Sequence, residues 1–174
     1  MTVEITKLER VGAAEWAKIV LEWEAESNLY SEDFLDHATA SMPMLEDLAN
    51  SAPLRDAGVY SYKNNGKVTA ILQANAARLP GYDGKVLRVR HIVLSPRFEF
   101  DEDIDMDAYA SVLIGVFTGS MLLAEDEMIA PHLKFHMKSR AERTFGEQFT
   151  KAMQASKVFK NCDMKGSWIY LSKT

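Results

Sequence analysis

The chain has 174 residues, net charge −5, 47% hydrophobic and 26% charged side chains, and one cysteine, Cys162. That balance excludes a disordered chain, and the single cysteine excludes both a disulfide framework and a cysteine-rich metal site. Length fits one domain over residues 1–174, and the net acidity excludes nucleic-acid binding by bulk charge. With no signal-like N-terminus, the expected compartment is the cytoplasm.

The charge is blocked along the chain. Residues 1–57 sum to −8, 58–98 to +6, 99–130 to −9 and 131–174 to +6. Such alternation predicts an asymmetric surface field. Acidic N-terminal helices lying over a basic sheet would make the blocks self-complementary.

In chain order, residues 2–8 alternate like a short strand. From Gly12 to Ser27, Trp16, Ile19, Val20 and Trp23 recur at helical spacing. Ser31 suits the N-cap of a second helix running through His37, and Pro43 breaks or restarts it. Residues 58–79 read as a hairpin turning at Asn64-Asn65-Gly66, where Asn-Gly supplies the positive φ angles of a tight turn. Lys85–Ser95 is the strongest strand, with Arg88 and Arg90 expected on one face and His91 on the other.

Met106 to Ala124 reads as a helix apolar nearly all round, hence buried on more than one side. Gly115, Thr118, Gly119 and Ser120 interrupt it, so it is not read as a membrane span. Its ridge of Ser111, Gly115 and Gly119 predicts close packing within the domain. His132–Lys138 alternates as a strand, Ala141–Ser156 is the last helix, and Val158–Met164 and Ser167–Leu171 close the chain as strands.

This order, together with Leu87-Arg88-Val89-Arg90-His91-Ile92-Val93-Leu94-Ser95-Pro96 and the segments His132–Lys138 and Ala141–Phe145, resembles the Gcn5-related N-acetyltransferase (GNAT) superfamily. The resemblance implies an α/β fold with a mixed, mostly antiparallel central sheet flanked by about four helices. It also implies acetyl-CoA as donor and a small-molecule or protein amine as acceptor. Leu94, Ser95, Arg97 and Phe98 would then hold the cofactor at the strand exit, with His91 and Glu99 as candidate catalytic bases. His136 and Tyr109 are further acid–base candidates.

The chain departs from the family's pattern in two places. The family's Arg/Gln-x-x-Gly-x-Gly/Ala loop cradles the CoA pyrophosphate, whereas Arg97-Phe98-Glu99-Phe100-Asp101-Glu102 puts Phe100 and Glu102 where the glycines stand. In the family's Asn-x-x-Ala-x-x-x-Tyr pattern, Ala141 fits, but Lys138 and Phe145 replace the Asn and the Tyr. Two functions from different classes follow: a divergent N-acyltransferase, or a non-catalytic GNAT-like binding or assembly module such as a phage virion-associated protein. The second would meet a protein partner or another copy of itself. Neither a membrane nor a nucleic-acid partner is expected.

No metal site is expected either. Asp101, Asp103, Asp105 and Asp107 suggest a calcium loop, but Ala108 and Ile114 stand where an EF-hand begun at Asp103 needs Gly and Glu.

Overall fold

The structure is a computed structural model describing residues 6–173. Seven strands form one sheet in the order β1-β2-β3-β4-β5-β7-β6. In chain order the elements are β1 Glu9–Val11, α1 Ala13–Leu29, α2 Met42–Asn50, β2 Ala57–Asn64, β3 Lys67–Arg78 and β4 Lys85–Leu94. The short α3 Arg97–Phe100, α4 Met106–Asp126, β5 His132–His136, α5 Arg140–Ser156, β6 Asn161–Lys165 and β7 Trp168–Ser172 follow. Among the described residues, β4 and β5 run parallel and the other five pairings are antiparallel.

Local chemistry sets most of these elements. Asn65 (φ 51) and Gly66 (φ 77) both take positive φ, the turn that joins β2 to β3. Ser139 caps α5 in a capping box: its hydroxyl accepts from the Glu142 amide, while Glu142 accepts from the Ser139 amide. α4 is long and apolar enough to cross a membrane, yet here Val112, Leu113, Val116 and Phe117 are buried against the sheet. Its glycine ridge meets β2 and the chain before β1: Gly115 lies against the Tyr62 ring and Gly119 under Leu8.

The sheet buries two cores. α4 and α5 cover one face through Leu87, Val89, Phe117, Leu133, Phe135 and Ile169. α1 and α2 cover part of the other through Trp16, Ile19, Trp23, Leu45, Val59, Ile71 and Val93.

Several expectations change. Of the strand expected at 2–8, residues 2–5 lie outside the described residues and 6–8 are not strand; the first strand among the described residues is Glu9–Val11. Ser31 caps no helix: its φ is 57, and the chain makes one 3-10 turn at Phe34–Asp36, capped by Asp33. Among the described residues the helices number five, because the strand exit itself coils into α3. The penultimate strand starts at Asn161 rather than Val158. The acidic helices do not pair with the basic sheet. Among the described residues, the ion pairs joining those two blocks are Lys63–Glu9 and Lys85–Asp56, neither from α1 or α2.

Candidate active site

β4 and β5 pair only from Val86–Val89 against His132–Phe135, although β4 continues to Leu94. Beyond Val89 the two parallel strands separate, so the last five residues of β4 have no β5 partner.

A bulge sits where they part. Ile71 pairs with Val93 but Gln73 pairs with Arg90, so β4 carries one residue more than β3 there. His91 takes φ 51, a left-handed conformation that costs a non-glycine residue about 1–2 kcal/mol. The extra residue resets the alternation. Leu87 and Val89 face α4 and α5, but Val93 faces α1 and α2, and Leu94 returns to the first side. His91 is therefore not simply opposite Arg88 and Arg90, as strict alternation predicts. It turns out of the pleat at the edge of the gap.

Past the bulge, the main chain of β4 offers bonds to the gap. Ser95 donates to the Thr69 carbonyl at 2.9 Å, which directs the neighbouring Leu94 main-chain groups away from β3. The Leu94 carbonyl accepts from His37 Nε2 at 2.9 Å. His37 Nδ1 meets the Glu99 carboxylate, so both ring nitrogens face oxygen acceptors. Trp23, Phe34 and Phe100 surround the ring.

The gap is a cleft of about 500 Å³. Its walls come from the α1–α2 connection (Asp36–Ser41), β4 (Ile92–Leu94), α3 (Phe98 and Glu99), α4 (Tyr109) and the start of α5 (Lys138, Ser139, Ala141 and Glu142). Since α1/α2 and α4/α5 lie on opposite faces, the cleft passes through the sheet.

Its electrostatics have identifiable causes. Burial pushes the His91 pKa below the ordinary histidine value, and the positive Lys138, Arg90 and the His136 ring add to this. Burial, with the nearby Glu142, pushes Tyr109 up to about 12, so its hydroxyl keeps its proton at neutral pH. Burial raises Glu142, offset in part by the Ser139 and Lys138 amides it accepts at 2.7 and 2.6 Å. Ser41 Oγ stands 3.1 Å from His91 Nδ1 and 3.4 Å from Lys138 Nζ.

Beside the cleft, on the α1/α2 side, the sheet face is uncovered and basic. Arg88 pairs in register with Lys134, and Lys134 with Tyr170, so all three share this face with Arg90, His136 and Trp168. Lys134 Nζ lies 4.4 Å from the Trp168 ring centroid. Among the described residues neither arginine is in an ion pair, and the buried Nε of each has no hydrogen-bond partner.

The residues singled out from sequence divide between two places. Leu94, Phe98, Glu99 and Tyr109 line the cleft, and His91 stands at its edge. Ser95 and Arg97 line a separate cavity against α1, with Trp23 and Glu26. His136 stacks 4.8 Å from Trp168 on the open face. Sequence reasoning gave no role to His37, Ser41 or Lys138. Their partners lie about 50 to 97 residues away, so no local pattern marks them.

The loop after β4 does not fit a CoA diphosphate, which needs a nest of free backbone amides. The Arg97 amide donates to Glu26 Oε2 at 3.1 Å, that of Asp103 to Asp101, and that of Asp107 to Asp105. The amides of Phe98, Glu99, Phe100, Asp101 and Ile104 bond to main-chain carbonyls. Carboxylates of Glu26, Asp101 and Asp105 thus hold three of these amides, and main-chain carbonyls hold the other five. Among the described residues, no three His, Cys, Asp or Glu side chains converge as a cation site.

The same architecture occurs in an N-acetyltransferase from Staphylococcus aureus Mu50, with 8% identity, TM-score 0.51, and coverage of 95% of this chain and 96% of that one. A possible acetyltransferase from Clostridium difficile 630 aligns with 11% identity and TM-score 0.48, over 94% and 95% of the two chains. No family model and no curated protein matches the sequence. The chain has a GNAT-like fold.

Proposed function

We propose that this protein is an N-acyltransferase that moves an acyl group from a thioester to an amine. The observation that carries the reading is the through-sheet cleft at the β4/β5 separation, with His91 held at its edge by the bulge. A thioester reaching in from the α4/α5 side and an amine from the open face would meet there. A neutral imidazole can take the amine proton, and the lowered pKa keeps His91 neutral at pH 7. Tyr109 keeps its hydroxyl proton and can donate a hydrogen bond into the cleft.

The uncovered face narrows the acceptor. Arg88, Arg90, Lys134 and Lys138 would repel a simple ammonium, so the amine that binds carries carboxylate or phosphate groups. The carboxylate-capped loop narrows the donor. Acetyl-CoA is the family expectation, but here its acyl arm and not its phosphates would supply the binding.

The test is amine-dependent acyl transfer from acetyl-CoA and from S-acetyl-N-acetylcysteamine to a set of anionic amines. His91→Asn should lower the rate by roughly 100-fold or more. No acylated amine from either donor would sink the reading. The spent loop amides favour the second reading, a non-catalytic binding module. That reading gains if transfer is absent and the protein forms a stable complex that neutralising Asp101, Asp103 and Asp105 disrupts.

A further inference from the structure

Ser41 occupies the N-cap position of α2, where a serine hydroxyl ordinarily accepts from the first-turn amides. Here it makes no such bond. Its side chain turns instead into the cleft, 5% exposed, with Oγ 3.1 Å from His91 Nδ1 and 3.4 Å from Lys138 Nζ.

Lys138 has only donors, so Ser41 Oγ accepts from it. With the neutral ring protonated on Nε2, His91 Nδ1 accepts the hydroxyl proton. The positive Lys138, 3.4 Å from Ser41 Oγ, favours a negative oxygen there. His91 meets this hydroxyl at 3.1 Å from a left-handed backbone, the strained kind of conformation that collects at functional sites.

We propose that Ser41 is a nucleophile, with His91 as its base, and that it carries the acyl group as an ester between thioester and acceptor. The proposal deepens the acyltransferase reading and rests on it for the thioester donor. Ser41 Oγ attacks the thioester carbonyl while its proton passes to His91 Nδ1. The C–S bond breaks, and the leaving thiolate takes that proton from the imidazolium. The acyl-serine then meets an amine or a water. His91 accepts the proton of that second nucleophile and returns it to Ser41 Oγ as the ester bond breaks. Lys138 holds Oγ in place and opposes the charge that develops there. No oxidant or metal takes part.

The experiment mixes the whole protein with S-acetyl-N-acetylcysteamine, with and without an anionic amine, quenches in acid and maps the adduct by mass. The expected result is one acetyl group on Ser41 and a burst of thiol equal to the protein concentration. Ser41→Ala should abolish both, Ser41→Cys should take up the acetyl group, and His91→Asn should slow the burst by roughly 100-fold or more. An alkyl fluorophosphonate should label Ser41 in the unaltered protein. An unchanged burst in Ser41→Ala, or acetyl on another residue, overturns the proposal. Acylated amine with no acyl-Ser41 overturns it while leaving the transferase reading intact. Acyl-Ser41 cleaved by water alone, never by an amine, supports the nucleophile and overturns the transferase reading. Failure of the Ser41→Cys variant to acylate, with no adduct on the unaltered protein, counts against the proposal even if Ser41→Ala does not fold.

Discussion

His91 combines a backbone cost with a chemical role. An alanine at this left-handed position keeps the strain, whereas a glycine relieves it. His91→Gly should therefore be more stable than His91→Ala by about 1 kcal/mol in denaturant melts, with both inactive in acyl transfer. The opposite order would mean that the bulge imposes no such constraint. The pH profile follows from the direction of the pKa shift. The neutral ring is the active form, and burial and then Lys138 lower its pKa. Activity should thus be lost on acidification only below the ordinary histidine value of about 6.5. Lys138→Met removes a positive neighbour and should move that limb of kcat/KM upward in pH. A downward move would contradict the account. His91 was visible in the sequence as a histidine in the strongest strand. Ser41 and Lys138 carry no local mark, because what brings them to His91 is a meeting of three distant segments.

At the level of elements, the start of α5 and the ridge of α4 carry measurable stability. Glu142 is 7% exposed and satisfies the amides of Lys138 and Ser139, so Glu142→Ala leaves them without that acceptor. The cost should be roughly 1–3 kcal/mol, while Glu142→Gln, which keeps an acceptor oxygen, should cost clearly less. Urea denaturation of the two variants decides this. A Cβ at Gly119 would stand 2.7 Å from Leu8 Cγ and 3.4 Å from the Thr6 carbonyl. Gly119→Ala should destabilise by about 1–3 kcal/mol in the same assay. Elements with strong local chemistry were legible: the Asn65-Gly66 turn, the β-branched run of β4 and the apolar α4. The helix expected from Ser31 was not formed, because the local signals there resolve into a left-handed Ser31 and a 3-10 turn capped by Asp33. The bulge in β4 has no mark in the sequence, since its position depends on pairing with β3.

At the scale of the molecule, charge is segregated rather than neutralised. In the acidic stretch after β4, Asp101 and Asp105 accept from nearby amides and Glu99 meets His37, and the arginines of β4 face the open side of the sheet without ion pairs among the described residues. Attraction of an anionic acceptor to that face should weaken with salt. KM for such an acceptor should rise several-fold between about 0.05 and 0.5 M salt, while kcat holds. A salt-independent KM would remove the face from the binding account. The alternating charge blocks were plain in the sequence, but their self-complementarity was not realised. Sequence distance does not say which face of the sheet a helix covers, and α1 and α2 cover the apolar part.

The central claim is that the β4/β5 cleft, and not the loop after β4, is the binding element. Calorimetric titration with S-acetyl-pantetheine, acetyl-CoA and adenosine 3′,5′-bisphosphate tests it most directly. The account predicts that the two thioesters bind alike, within a factor of about three or under 1 kcal/mol, and that the nucleotide does not bind. Binding of the nucleotide, a tenfold or greater preference for acetyl-CoA, or no binding of either thioester would contradict it.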